Sequence, residues 1–141
     1  MNIIDILAKE EPPQTQVGLL EDMFAMQARL EEKYAPIEHA RGLRWIEQQT
    51  ADLDDAKGQL QVKDQVFRII TELIEMTETL KNKPWKQTQM PTDKNHFYEE
   101  LSDSFHFFLG LCLMVGLTPQ DLFRIYFAKH QVNEFRITSN Y

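Results

Sequence analysis

The chain has a single cysteine, Cys112, so no internal disulfide can staple it, and small disulfide-built folds are excluded. A lone thiol in an apolar run suits a reducing compartment, and the cytoplasm is expected. Basic residues are also scarce. Fifteen Lys and Arg against 22 Asp and Glu give a formal net charge of -7, which argues against nucleic acid as the main ligand. Long hydrophobic runs are missing: the longest, residues 105–117, contains His106 and falls short of the ~20 residues needed to cross a bilayer. No membrane association is expected. The N-terminus carries Asp5 where a signal peptide wants base and lacks a small-residue cleavage site. Period-two alternation, internal repeats and low-complexity tracts are absent too, which leaves 141 residues as one all-α domain with a real core.

What is present is helical periodicity. After the break at Pro12-Pro13, Leu19, Leu20, Met23, Phe24, Met26 and Leu30 recur at helical spacing, and this helix is expected to end near Pro36. Residues 37–57 are less regular, with Leu43, Trp45, Ile46 and Leu53 as candidate inward positions and Gly58 as a stop. Val62, Val66, Ile69, Ile70, Leu73, Met76, Thr77 and Leu80 then form a stripe that predicts a helix over residues 62–80. A basic, aromatic loop around Lys83, Trp85 and Lys86 follows. Thr92 or Asp93 caps the next helix, expected over residues 94–115 and stopped by Gly116. Thr118-Pro119 opens a last one to about Arg136. The expected architecture is a bundle of four to five helices, with residues 1–16 as an N-terminal extension and residues 126–141 as a tail.

Two acidic pairs stand out, Glu72-x-x-Glu75 and Glu100-x-x-Asp103, because residues three apart on a helix are neighbours and can grip one hard cation together. An isolated pair of this kind is usually solvated surface. Position alters that reading. Glu100 and Asp103 share a helical arc with Phe107, Leu111 and Met114, so these charges point inward, where a bound metal would offset the desolvation cost. Glu72 falls at the edge of its apolar stripe, whereas Glu75 lies nearly opposite its centre and stays in water unless another layer covers it. Lys129, Asn133 and Arg136, at i, i+4 and i+7, lie along one face near the C-terminus. Lys and Arg can neutralise phosphate oxygens, although basic residues there also simply complement the helix dipole.

Taken together, these residues resemble the all-α NTP pyrophosphohydrolases, whose metal-binding pattern is Glu-x-x-Glu followed by Glu-x-x-Asp. Trp85-Lys86, then Glu100-x-x-Asp103-x-x-His106-Phe107, then Tyr126-x-x-Lys129-x-x-x-Asn133-x-x-Arg136 ending in Tyr141, look like the dimeric dUTPase branch. Met26-Gln27, Trp45 to Thr50 and Phe123 to Tyr126 further resemble the dCTP/dUTP pyrophosphatases of T-even-type phages. The resemblance covers residues 23–141. It implies a homodimer that uses Mg²⁺, with Mn²⁺ as a substitute, to cleave a deoxynucleoside triphosphate to the monophosphate and pyrophosphate. By motif, Glu72, Glu75, Glu100 and Asp103 would ligate the metal and carry catalysis, one of the first pair orienting the attacking water. Lys86, Lys129, Arg136 and Tyr141 would hold phosphate, and Gln27, Trp85, His106, Phe107 and Asn133 would meet the base or sugar.

The pattern has departures. Where the dimeric dUTPases follow the base-reading Gln with an Asn, this chain has Leu30 and Glu31, and an ionised Glu accepts hydrogen bonds without donating them. That fits cytosine's amine better than uracil's O4 and leaves dUTP and dCTP both open. The tail ends Asn140-Tyr141 where Gly often precedes the Tyr, a change that Asn tolerates. Two rivals remain: a MazG-like enzyme of other base preference, and a non-catalytic helical adaptor that docks a partner by its apolar faces.

Overall fold

The computed structural model describes residues 18–42 and 50–139, together with residues 5, 8 and 9. Among them are four helices and no strand: α1 (Leu19–Ala40), α2 (Ala56–Glu78), α3 (Lys94–Met114) and α4 (Pro119–Thr138). The all-α expectation holds. The N-terminal extension, for the most part, and Leu43, Trp45, Ile46, Gln49 and Tyr141 lie outside the described residues.

Local chemistry sets three of the four starts. Asp55 caps α2 by accepting from the amides of Lys57 and Gly58, and Asp93 caps α3 by accepting from those of Asn95 and His96. α4 opens with a full capping box between Thr118 and Asp121, with Pro119 in the first turn. The two hydrogen bonds from Thr118 hold the Asp121 carboxyl below its usual range. α3 ends as its sequence predicts. Gly116 takes φ +78, and the amides of Gly116 and Leu117 return to the carbonyls of Leu113 and Cys112, which is the Schellman pattern.

Two boundaries differ from expectation. α1 runs through Pro36, which lacks the amide that would bond four residues back yet does not end the helix; Gly42, at φ +65, follows the true end. Gly58 is no stop but lies in the first turn of α2, buried where the backbone of Asp52 crosses so closely that a Cβ would overlap its carbonyl. Leu53, expected inside, is exposed.

α3 is the hub, packed along α2 and against α1, with α4 touching α1 lightly. The core is small. Phe24, Leu109 and Cys112 form its centre, with Leu20, Leu113, Leu117 and Leu122 around it, and burial raises the Cys112 thiol pKa. Much of the apolar stripe, Val66, Ile70 and Leu73 on α2 and Leu80 just beyond it, stays exposed, and so do Phe105 and Phe108 on α3, which stack on each other.

Candidate active site

The packing of α2 on α3 brings Glu72, from the first acidic pair, up to both members of the second. Oxygen atoms of Glu72, Glu100 and Asp103 lie within 4.8 Å of one another. Glu100, in the middle of this cluster, is 8% exposed, and its Oε1 accepts from His96 Nε2 at 2.8 Å. Asp103 sits at the solvent edge. Glu75 stays exposed, as its place on the helix wheel predicts, and is not one of the three gathered groups.

Crowding like charges costs free energy unless a proton or a cation intervenes. The Glu72 carboxyl accordingly rises to about 7, first through desolvation, then through a hydrogen bond with Glu100 and repulsion from Glu75, Asp103 and Glu100. Hard carboxylate oxygens at this spacing fit a divalent cation such as Mg²⁺. The charge that protonates Glu72 without metal is the charge that would bind one.

Beside the cluster opens a cavity of about 350 Å³, walled by three helical faces. From α1 come Gln27, Glu31, Tyr34 and Glu38, and from α2 Gln61, Gln65, Arg68 and Glu72, each set at i, i+4, i+7 and i+11 and therefore along one line of its helix. α3 supplies Asp103, His106, Phe107 and Met114. Hydrogen bonds lock this wall. Gln65 Nε2 donates to the Phe107 carbonyl at 2.8 Å, and Gln27 Nε2 donates to Glu31 Oε1 at 2.8 Å. His106 Nδ1 meets the Ser102 carbonyl at 2.8 Å, which can only accept, so Nδ1 carries the proton. Arg68 bridges Asp64 at 3.2 Å and Glu38 at 3.5 Å. The close approach depends on Gly110, where a Cβ would stand 2.9 Å from both Gln65 Nε2 and Glu31 Oε1.

Of the residues singled out from sequence, the structure thus gathers Glu72, Asp103, Gln27, His106 and Phe107 around one cavity, with Glu100 behind it. The other candidate site residues that lie among the described ones are not in its lining. Trp85 is 77% exposed on a loop that Asn82 closes by bonding both the amide and the carbonyl of Met90, and Lys83 lies over the Trp85 ring. Lys86 sits on the same loop, and Lys129, Asn133 and Arg136 are exposed on α4. Gln61, Gln65 and Arg68 escaped the sequence reading, although stepping back from Glu72 by four, seven and eleven residues reaches all three.

An all-helical chain with carboxylates clustered beside a polar cavity has the equipment of a hydrolase acting on phosphorylated substrates. A family model described as dUTPase matches residues 19–113, more than half of the chain, and the chain belongs to that family. Its class is that of nucleoside triphosphate diphosphatases, with a nucleotide as substrate. No curated protein and no solved structure matches the chain. Among the described residues no single helix is long and apolar enough to cross a membrane.

Proposed function

We propose that this chain is a Mg²⁺-dependent diphosphatase of the all-α NTP pyrophosphohydrolase superfamily, akin to the phage dCTP/dUTP enzymes. It cleaves dUTP, dCTP or both to the monophosphate and pyrophosphate, in the cytoplasm, as a homodimer. The observation that carries this is the set of three carboxylates within 4.8 Å, opening onto a cavity that Gln27, His106 and Phe107 line.

Glu72, Glu100 and Asp103 would hold the cation, and Glu75, near enough for its charge to act on Glu72, would orient water. Bound there, Mg²⁺ supplies charge neutralisation for the phosphate oxygens. Water attacks the α-phosphorus, the bond from that phosphorus to the bridging oxygen breaks, and pyrophosphate leaves. Glu75, outside the cluster and facing solvent, takes the water's proton. Phe107 and His106 bound the nucleoside in the cavity, which excludes bulk water from one side of the reaction.

Lys86, Lys129, Arg136 and Tyr141 hold the remaining phosphate oxygens, and Trp85 and Asn133 meet the nucleoside from outside the cavity of a single chain. α4 buries none of its residues, and α2 and α4 both present exposed large apolar side chains, the kind of surface that marks an interface. A second copy laid on these faces would cover them and bring basic side chains toward the phosphates. The test is pyrophosphate release over the four deoxynucleoside triphosphates with and without Mg²⁺. Turnover of pyrimidine nucleotides only with the metal is expected; turnover confined to purines, or none, would reject the proposal.

A further inference from the structure

Two hydrogen-bond acceptors buried in the cavity wall, on Gln27 and Gln61, have no partner among the described residues. Gln27 is 3% exposed, and its amide nitrogen is committed to Glu31. A carboxylate only accepts, so this bond also fixes which way the amide faces and leaves Gln27 Oε1 as the outstanding group. That oxygen is buried and has no hydrogen-bond partner among the described residues. Gln61 Oε1, on the opposite wall, is buried without a partner in the same way. Gln65 has spent its amide nitrogen on the Phe107 carbonyl, and His106 has spent Nδ1 on the Ser102 carbonyl. Arg68, the one guanidinium on the wall, is engaged by Asp64 and Glu38.

Buried acceptors without partners cost free energy, and a cavity that has two of them is completed by a ligand that brings donors. Pyrimidine bases differ on this edge at two positions: cytosine presents a 4-amine with two N–H donors beside an N3 acceptor, uracil an O4 acceptor beside a single N3–H donor, so cytosine alone can satisfy two acceptors from one group. Uracil O4 set against Glu31 and Gln27 Oε1 would leave acceptor facing acceptor. The geometry points to the 4-amino group of cytosine as the group that Glu31 and Gln27 Oε1 receive, making dCTP the preferred substrate, an assignment that rests on the diphosphatase reading above. Glu31 is then a specificity-determining residue, held in place by Gln27 and given room by Gly110.

The experiment compares kcat/KM for pyrophosphate release from dCTP, from dUTP and from the deoxypyrimidine triphosphate bearing hydrogen in place of the 4-amino group. The unmodified protein is expected to favour dCTP over each of the other two by at least about tenfold, the scale of hydrogen bonds to a charged group. Glu31→Gln, whose amide can turn either face to the base, should narrow the dCTP-to-dUTP ratio by about tenfold or more. Should that variant misfold, the 4-hydrogen analogue on the unmodified protein carries the test alone. Equal rates for dCTP and the 4-hydrogen analogue, or dUTP turned over as well as dCTP, would overturn the assignment and leave the diphosphatase activity standing. Failure of the unmodified protein to release pyrophosphate from any pyrimidine nucleotide would remove both together.

Discussion

The pair α2–α3 and the helix α4 are equally regular locally, yet they differ in what they bury. α2 and α3 pack along each other and enclose polar groups, Gln65, Glu100 and Ser104, whereas α4 has a complete capping box at its start and no buried residue. Phe135 and Ile137 on α4 are 69% and 79% exposed. The first region carries its acidic chemistry within one chain. The second has its helix fixed by capping but its apolar face uncovered, so capping and periodicity specify a helix independently of what it packs against.

The sharpest way to break the first region is to remove its central carboxylate. Glu100→Ala should lower turnover by at least about a thousandfold, because cation binding by the remaining oxygens fails. Helical circular dichroism should be unchanged without metal, since removing one of several mutually repelling carboxylates relieves Glu72. Near-normal turnover in Glu100→Ala would leave the cluster without a role and restore the reading of a silent adaptor.

The second region is broken by removing its apolar face. Phe127→Ser with Phe135→Ser, both exposed in the single chain, should convert a dimer to monomers in sedimentation and take turnover with it. In a protein that is monomeric throughout, these substitutions would leave sedimentation unchanged and the dimer would fall. Arg136→Ala probes the same helix more gently. It should raise KM for the triphosphate about tenfold or more while barely altering competition by the nucleoside; equal effects on both would remove Arg136 from the phosphates.

How much of this was legible follows from where each signal lies. Glu100 could be placed inside because it shares a helical arc with apolar residues, and Glu75 outside because it opposes its stripe; both readings need only helix geometry. Proline signals a helix end only as a tendency, because the loss of one ladder bond can be outweighed by the packing of the rest of the helix; the positive φ of Gly42 marks where α1 stops. Gln65 interrupts an apolar stripe, and that alone could have marked it, but its partner, the Phe107 carbonyl, is 42 residues away, and no spacing reveals it. Lys129, Asn133 and Arg136 do lie on one helix as their spacing predicts. Where that helix lies relative to a bound nucleotide is a matter of tertiary and quaternary packing.

A smaller effect tests how closely the walls of the first region fit. Gly110→Ala introduces a Cβ 2.9 Å from the far ends of Gln65 and Glu31, which can yield, so the expected cost in urea unfolding is about 1 kcal/mol. Because both side chains must move, KM for the nucleotide should rise more than the stability loss alone explains. An unchanged KM would separate Gly110 from the base wall.

The mildest prediction turns on protons. Glu72 holds its proton up to about pH 7 in the folded, metal-free protein, against 4.5 as its ordinary value. Between these limits the folded state binds more protons than the unfolded chain, so stability contributed by this group is present below pH 4.5 and is lost as pH rises through 7. For a partly exposed carboxyl the loss amounts to about 1 kcal/mol after solvent screening, a fall of a few degrees in Tm between pH 5 and pH 8. Glu72→Gln should therefore flatten the profile, while Lys129→Gln on α4, which is not part of the carboxylate cluster, leaves it unchanged. A divalent cation should also flatten it, because the cation takes over the neutralising role of the proton and binds better as that proton leaves. A Tm that rises across this range without metal, or that falls equally in Glu72→Gln, would mean that the carboxylates do not crowd one another as the packing of α2 on α3 requires.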